Sequence, residues 1–157
     1  MVLRIGQRVP DFALPDSDKR ERRLSEFTQK GKTVLLFFPF AFSGVCDREM
    51  CVFRDGEAKF HALNGQTVGI SVDSVYTLKV FAQTYNLQFP LLSDFNKKVS
   101  RAYGVLHETW VTLGYKGVSK RAAFVLDGKG ILRYKWVTDA PSNEPPYDEI
   151  LSALSKV

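Results

Sequence analysis

Cysteine and histidine are scarce in this sequence, with two of each among 157 residues. So few cysteines exclude the disulfide framework of a small secreted protein. Long apolar runs are missing too, since none reaches the roughly 18 residues that a membrane span needs. The first twelve residues lack the apolar segment and the cleavage site of a signal peptide. We therefore expect a cytosolic protein without a membrane partner.

Internal repeats, charge tracts and Gly/Ser linkers are also missing. The composition, 45% hydrophobic and 25% charged, is typical of a folded globular domain and excludes disorder. A chain of this length can bury roughly 70% of its unfolded surface, so we expect residues 1–157 to form one domain. The net charge is +5, with much of the excess in residues 19–23. Without interleaved aromatics, this segment predicts a solvated turn and no nucleic-acid partner.

The patterning along the chain predicts alternating strands and helices. Three apolar runs predict strands buried on both faces of a sheet: residues 33–38, 66–72 and 121–126. Other segments predict a strand after a hairpin turn at Asp127-Gly128, and two short N-terminal strands: 131–137, 12–15 and 22–24. Helical patterns occupy four segments: 45–63, 75–85, 97–103 and 147–154. This order predicts an α/β, thioredoxin-like fold with a mixed central sheet, flanking helices and an N-terminal β extension.

Cys46 stands at the start of the helix predicted over 45–63, just beyond a buried strand and Pro39. Unpaired backbone N–H groups and the helix dipole favour an anion at a helix start. A thiolate is such an anion, so this position predicts a lowered pKa for the Cys46 thiol. Because Cys46 belongs to the apolar stripe of the helix, its sulfur is expected to face the core.

Cys51 follows five residues later and falls on another side of the same helix. In an intact helix the two Cα atoms are about 8.7 Å apart, whereas a disulfide needs less than about 7 Å. Cys46 and Cys51 therefore cannot pair unless the first helical turns unwind, and helix ends are where opening costs least. Their spacing does not match a zinc motif, and His61 and His107 are isolated, so we expect no metal site.

The segment around Cys46 resembles a known family. Pro39-x-x-x-Ser43-x-x-Cys46 matches the Pro-x-x-x-Thr/Ser-x-x-Cys motif of the peroxiredoxins. The resemblance extends over nearly the whole chain, and its strongest blocks are residues 37–55, 69–74 and 121–127. The branches that the sequence resembles most are the alkyl hydroperoxide reductase E-like group and the bacterioferritin comigratory protein (peroxiredoxin Q) group.

The resemblance implies a role for each of five residues. Cys46 is the peroxidatic cysteine, Pro39 shields it from solvent, and Ser43 hydrogen-bonds the peroxide and the thiolate. Arg121 stabilises the thiolate and the peroxide oxygens, and Glu49 orients the arginine. Serine replaces the more usual threonine of the motif, which keeps the hydroxyl but loses a methyl that fixes the rotamer. Ser43 also suits a helix N-cap, and Glu49 also suits an ordinary acid of a first helical turn.

The implied reaction is the reduction of hydrogen peroxide and organic hydroperoxides. Attack of the thiolate on the O–O bond leaves a sulfenic acid. Cys51, at the spacing of the peroxiredoxin Q branch, resolves it as an intramolecular disulfide, which thioredoxin or a similar dithiol reduces. No cofactor or metal is required, and the resemblance implies a homodimer or a higher homo-oligomer.

Two alternatives stay open. Many members of the alkyl hydroperoxide reductase E-like group lack a cysteine at the position of Cys51, so an external thiol can take over the resolving step. The other alternative is a binding module, either a thioredoxin-fold metal chaperone or a redox-sensing partner protein. Such a module would carry stoichiometric metal and show negligible peroxidase turnover.

Overall fold

The computed structural model of the protein describes residues 2–110 and 113–157. The strands are β1 (Ala13–Pro15), β2 (Glu21–Arg23), β3 (Lys32–Phe37), β4 (Gly65–Ser71), β5 (Leu91–Ser93), β6 (Leu106–Thr109), β7 (Lys116–Ser119), β8 (Arg121–Leu126) and β9 (Leu132–Thr138). The helices are α1 (Leu24–Lys30), α2 (Val45–Asp55), α3 (Glu57–Ala62), α4 (Val75–Tyr85), α5 (Lys98–Ala102) and α6 (Tyr147–Ser155). Within the described residues, no helix has the length and apolar character that crossing a bilayer requires.

Five strands form the central sheet, in the order β5-β4-β3-β8-β9. Strand β3 runs parallel to β4, and β4 runs parallel to β5. Strand β8 runs antiparallel to both of its neighbours, β3 and β9. Strands β1 and β2 pair as a separate antiparallel hairpin that precedes the sheet. The mixed sheet, its flanking helices and the N-terminal β extension confirm the predicted α/β, thioredoxin-like layout.

The antiparallel pairing of β3 with β8 positions the site. Phe37, the last residue of β3, lies opposite Ala122, the second residue of β8. A side chain that follows β3 and a side chain that begins β8 therefore lie at the same end of the sheet, although they are far apart in the sequence. Strand β4 also ends there, since Phe37 pairs with Ile70 on its other side.

Side chains of β3 alternate between two hydrophobic cores, one on each face of the sheet. Leu35 and Phe37 belong to the core that α1 and α5 cover. Leu36 belongs to the core that α2, α3, α4 and α6 cover, together with Phe38. This second core includes Cys46, so the helix that carries the cysteine packs directly on the sheet.

The single helix predicted over 45–63 is wrong, because the structure has two helices there, α2 and α3, with Gly56 between them. The ring of Tyr147 in α6 packs so closely on Gly56 that a Cβ at this position would overlap it. Both helices face the same core, so the apolar periodicity continues across the break. The pattern alone therefore could not reveal where one helix ends and the next begins.

Strands β5, β6 and β7 are absent from the sequence-based prediction. Strand β5 has three residues, which is too short for an alternating pattern to stand out. Strands β6 and β7 form a two-stranded hairpin outside the main sheet. Strand β6 has no buried residue, so it lacks the apolar run by which the other strands are recognised.

Candidate active site

Cys46 and Arg121 meet at the carboxyl end of β3. Cys46 lies in the first turn of α2, and Arg121 is the first residue of β8. The Nη1 of Arg121 donates a hydrogen bond to the Sγ of Cys46 at 3.1 Å. Both residues are buried, with exposed fractions of 0% for Cys46 and 2% for Arg121. The fold thus brings a cationic donor to the sulfur inside the protein.

The guanidinium of Arg121 is held from two sides. Its Nη1 also donates to the Oε1 of Glu49 at 2.7 Å. Its Nε and Nη2 donate to the carbonyl oxygen of Pro141 at 3.2 and 2.8 Å. A planar group with contacts on both edges has little freedom to rotate, so Arg121 is fixed in its position beside Cys46.

Glu49 lies one helical turn after Cys46 and is buried, as is its ion pair with Arg121. Burial raises the pKa of Glu49 to about 7, while the charge of Arg121 acts in the opposite direction. Its second oxygen, Oε2, has no hydrogen-bond partner among the described residues. An ordinary acid of a first turn would be solvated, so the burial of Glu49 favours a role on Arg121.

The expectation of a lowered pKa for the Cys46 thiol is wrong for this folded site. Burial raises the pKa of Cys46 above its ordinary value, and this is the largest effect. The charge of Arg121 lowers the pKa, whereas the charge of Glu49 raises it again. The helix-start argument considered neither the loss of water around the sulfur nor the carboxylate next to it.

Ser43 and Pro39 lie in the segment between β3 and α2. The hydroxyl of Ser43 donates to the carbonyl oxygen of Phe40 at 2.9 Å, and Ser43 is exposed. The nearby Ser43 hydroxyl also lowers the pKa of the Cys46 thiol, although less than burial raises it. The N-cap of α2 is Gly44, with no side-chain cap, so Ser43 is not the N-cap. Pro39 is buried directly after β3.

Cys51 lies away from this cluster. It is half-buried on α2, and it belongs to neither hydrophobic core. Both cysteines are free thiols, and the helix between them is intact. In this state the spacing along α2 keeps the two sulfurs from pairing.

Asp73 anchors the loop that leads to Cys46. Its Oδ2 accepts a hydrogen bond from the backbone N–H of Ala41 at 2.8 Å and another from the hydroxyl of Ser71 at 2.7 Å. Asp73 lies between β4 and α4, just beyond the carboxyl end of β4. The loop after β3 is therefore tied to the neighbouring strand of the sheet.

Aromatic contacts provide a second anchor for the same loop. Phe42 has a φ of +66°, a left-handed conformation that costs a non-glycine residue roughly 1–2 kcal/mol. Its ring packs on Phe81 and Tyr85 of α4, with centroid separations of 5.1 and 6.3 Å. The hydroxyl of Tyr85 donates to the Oδ2 of Asp47 in the first turn of α2, at 2.6 Å. Helix α4 thus holds both the loop and the start of α2.

The two histidines, His61 and His107, contact residues outside the cysteine cluster. The Nε2 of His61 lies 3.5 Å from the Oε1 of Glu57 on its own helix, and the ring of His107 packs on Trp110. In the part of the chain that the structure describes, no group of three or more His, Cys, Asp or Glu side chains is arranged to hold a metal ion.

Sequence reasoning missed Asp73, Phe42, Tyr85 and the carbonyl of Pro141. Asp73 follows the end of a parallel strand, where functional groups tend to gather, and this was the signal available for it. The contacts of Phe42 and Tyr85 depend on how α4 packs against the loop. No local pattern indicates such packing.

Comparisons with known proteins show which proteins the chain is similar to. Residues 5–135 match the model of the AhpC/TSA family. Peroxiredoxin-2 of Bos taurus is 39% identical over 148 residues, which cover 87% of this chain and 70% of that protein. The 2-cysteine peroxiredoxin of Chattonella marina var. antiqua, a chloroplastic protein, is 34% identical, over 100% of this chain and 82% of that protein.

Solved structures of peroxiredoxins are also similar to this chain. The crystal structure of peroxidoxin BcpB from Mycobacterium tuberculosis has a TM-score of 0.88 and 32% identity, covering 99% of this chain and 98% of that chain. The reduced 2-Cys peroxiredoxin of Plasmodium vivax has a TM-score of 0.84 and 29% identity, covering 96% and 79%. The stretch that matches the family model includes Cys46, Cys51 and Arg121.

Proposed function

The chain belongs to the AhpC/TSA family of peroxiredoxins and is a thiol peroxidase, and from this premise we propose that Cys46 is the cysteine that attacks the peroxide. The observation that carries the proposal is the buried contact of 3.1 Å between the Sγ of Cys46 and the Nη1 of Arg121. The substrates we propose are hydrogen peroxide and organic hydroperoxides.

In the proposed reaction the Cys46 thiolate attacks one oxygen of the O–O bond. An S–O bond forms, the O–O bond breaks, and uptake of one proton gives Cys46 sulfenic acid and water or an alcohol. Arg121 stabilises the thiolate before the attack and the departing oxygen during it, because its charge is permanent and its donors are fixed. The exposed hydroxyl of Ser43 binds the peroxide at the mouth of the site, and Pro39 limits the access of water.

For the second step we propose Cys51 as the resolving cysteine. Its thiol condenses with the sulfenic acid of Cys46, which forms the disulfide and releases water. An external dithiol such as thioredoxin then reduces the disulfide to two thiols. Since both cysteines lie on the intact helix α2, the first turns of α2 must unwind before this step.

Contacts of the loop and of the first turn resist that unwinding. The hydrogen bond between Asp73 and Ala41 must break, and the Phe42 ring must leave Phe81 and Tyr85. The left-handed backbone of Phe42 is relaxed when the loop opens, which offsets part of the cost. A balance of this kind allows opening after oxidation while keeping the reduced site closed.

Intact mass after one equivalent of hydrogen peroxide tests both steps together. We expect the wild-type protein to lose the mass of two hydrogens, because an internal disulfide forms. The variant Cys51→Ser is the matched control, and it should gain the mass of one oxygen at Cys46. The variant Cys46→Ser should show neither change. Oxidation of Cys46→Ser at the wild-type rate would overturn the assignment of Cys46.

A second candidate, in which an external thiol reduces the sulfenic acid directly, also has an observation in its favour. Cys51 is only half-buried and lies outside the buried cluster, while two separate anchors hold the start of α2 closed. In this case the wild-type protein gains the mass of one oxygen and forms no internal disulfide. The same mass measurement therefore separates the two routes.

We also propose a homodimer or a higher homo-oligomer, formed through the aromatic residues beside the site. The ring of Phe40 packs on Trp110 and Tyr115, and Tyr115 is half exposed. Sedimentation of the reduced protein tests this, with Tyr115→Ser expected to shift the distribution toward the monomer. We also propose a cytosolic location, because two cysteines in 157 residues do not form the disulfide framework of a small secreted protein.

A further inference from the structure

One nitrogen of Arg121 serves two acidic groups. Its Nη1 donates to the Sγ of Cys46 at 3.1 Å and to the Oε1 of Glu49 at 2.7 Å. The sulfur and the oxygen can therefore be no farther apart than the sum of these two distances. The remaining bonds of the guanidinium go to the carbonyl of Pro141, which carries no net charge.

The charge balance of this cluster is uneven. One guanidinium faces a thiol and a carboxyl group that can both become anions, and all three side chains are buried. Two anions beside one cation leave a net negative charge out of water, which is costly. The unpartnered Oε2 of Glu49 is a further sign, because a buried carboxylate rarely leaves one oxygen without a donor.

We propose that Cys46 and Glu49 form one proton-sharing pair on Arg121, in which the thiol ionises only as the carboxylate takes up a proton. The exchange is balanced: the Cys46 thiol and the Glu49 carboxylate become the Cys46 thiolate and the Glu49 carboxylic acid. The guanidinium then belongs to the thiolate alone. Glu49 thus does more than hold Arg121 in place. As a carboxylate, Glu49 keeps the Cys46 thiol neutral, and this effect ends when Glu49 accepts a proton.

The pKa directions agree with this arrangement. Burial raises the pKa of Glu49 to about 7, so the carboxyl group can hold a proton near neutral pH. The charge of Glu49 raises the pKa of Cys46, and the charge of Arg121 lowers it. Protonation of Glu49 therefore removes one of the effects that raise the pKa of Cys46. The charge of Arg121, which lowers that pKa, remains.

Two charged groups from other elements act on Glu49. Arg121 approaches from β8, and Glu144 approaches from the segment before α6 and raises the pKa of Glu49. Glu144 is itself paired with Arg48 at 3.8 Å and is partly exposed. Its charge is therefore screened by solvent, and it serves as a control for the pair.

The first arm of the test is a titration of the Cys46 thiolate by its ultraviolet absorbance, in the Cys51→Ser background so that one thiol is observed. The variant Glu49→Gln should lower the midpoint by about 1–2 pH units, and it should merge two coupled steps into one. Glu144→Gln, the matched control, should shift the midpoint by much less. An unchanged or raised midpoint in Glu49→Gln would overturn the proposal, because a residue that only positions Arg121 gives that result.

The second arm does not depend on the folding of a Glu49 variant. Infrared titration follows the protonated carboxyl of Glu49 in Cys51→Ser and in the double variant Cys46→Ser/Cys51→Ser. With Cys46 present, part of the carboxyl signal should persist after the pair has released its first proton. The rest of the signal should disappear when the pair releases its second proton. In the double variant the signal should disappear in one step. Identical curves for the two proteins would overturn the proposal.

This inference rests on Cys46 being the reacting thiol, yet both arms measure proton binding and not turnover. If the titration is coupled but the Cys46→Ser variant still consumes peroxide, the proposed function is contradicted and the proton-sharing pair is supported. If the titration is uncoupled but peroxide consumption requires Cys46, the pair is contradicted and the proposed function is supported.

Discussion

Cys46 and Cys51 lie five residues apart on one helix, in very different surroundings. Cys46 is buried on the sheet and hydrogen-bonded to Arg121. Cys51 is half-buried and outside both cores. Both residues lie on α2, but only Cys46 lies in its first turn and packs into the core on the sheet. What distinguishes Cys46 is the end of β3 and the start of β8, which supply a fixed guanidinium and remove water.

The difference between the two cysteines should be largest when each one is substituted in turn. Cys46→Ser should slow the first turnover with hydrogen peroxide by at least about 1000-fold, because it removes the nucleophile. Cys51→Ser should leave that turnover within about twofold of wild type, since Cys51 acts only afterwards. Stopped-flow measurement of peroxide consumption with enzyme in excess reads this step. Equal losses in the two variants would contradict the division of roles.

Arg121 is the next test of what sets Cys46 apart. Arg121→Lys keeps the positive charge but loses the planar fork that reaches Cys46, Glu49 and the carbonyl of Pro141. We expect the rate of the first turnover to fall by about 100–1000-fold. The control is Arg48→Lys, an exposed arginine on α2, the helix that carries Cys46. A loss of similar size in both variants would show that the fork has no special role.

The buried carboxyl group of Glu49 gives the surroundings of Cys46 a pH signature of their own. The pKa of Glu49 rises from its ordinary 4.5 to about 7 in the folded protein. Between these pH values the folded state keeps a proton that the unfolded chain has released, so stability falls as pH rises from about 4.5 to about 7. We expect this contribution to be about 1–3 kcal/mol.

Glu49→Gln should remove that contribution, because glutamine does not titrate. Denaturant unfolding at about pH 4.5, 5.5 and 7, a range that spans the two pKa values, measures the free energy of unfolding of wild type and variant. The difference between the two proteins is then compared across the three pH values. Other titrating groups, Asp73 among them, cancel in this difference. A difference that does not change with pH would show that the Glu49 carboxyl has the same pKa in the folded and unfolded states.

The smallest expected effect concerns the first turn of α2, which must unwind before the two cysteines can pair. Tyr85→Phe removes the hydrogen bond to Asp47 but keeps the ring that packs on Phe42. Loss of this bond should destabilise the first turn of α2 by about 0.5–1.5 kcal/mol. The disulfide should therefore form up to about tenfold faster after a single pulse of peroxide.

The control for this effect is Tyr76→Phe, at an exposed tyrosine on the same helix α4. It should leave the rate of disulfide formation unchanged. If Tyr85→Phe also leaves that rate unchanged, opening of the first turn does not limit the resolving step.

Several features of the site follow from the sequence. The apolar run before Pro39 and the pattern after it place Cys46 at a strand end and a helix start, and the structure agrees. The predicted strand that begins at Arg121 is β8, and its pairing with β3 brings that residue to the sulfur. These predictions succeed because they rest on element order and on long apolar runs, which are strong local signals.

Other features depend on tertiary packing and were out of reach. The direction of the Cys46 pKa is set by burial, which a helix-start argument does not contain. The lack of room for a side chain at Gly56, between α2 and α3, is set by the ring of Tyr147 from another helix. The anchor at Asp73 depends on a loop that folds back over the end of β4. In each case the decisive neighbour lies far away in the sequence.

The most direct test of the central claim is to locate the first oxidised sulfur. Reduced Cys51→Ser and Cys46→Ser proteins are each given one equivalent of hydrogen peroxide, together with a reagent that traps sulfenic acids, and the labelled peptides are identified by mass spectrometry. Our account predicts rapid labelling at Cys46 in the first protein and at most slow labelling at Cys51 in the second. Equal labelling of the two cysteines would contradict it.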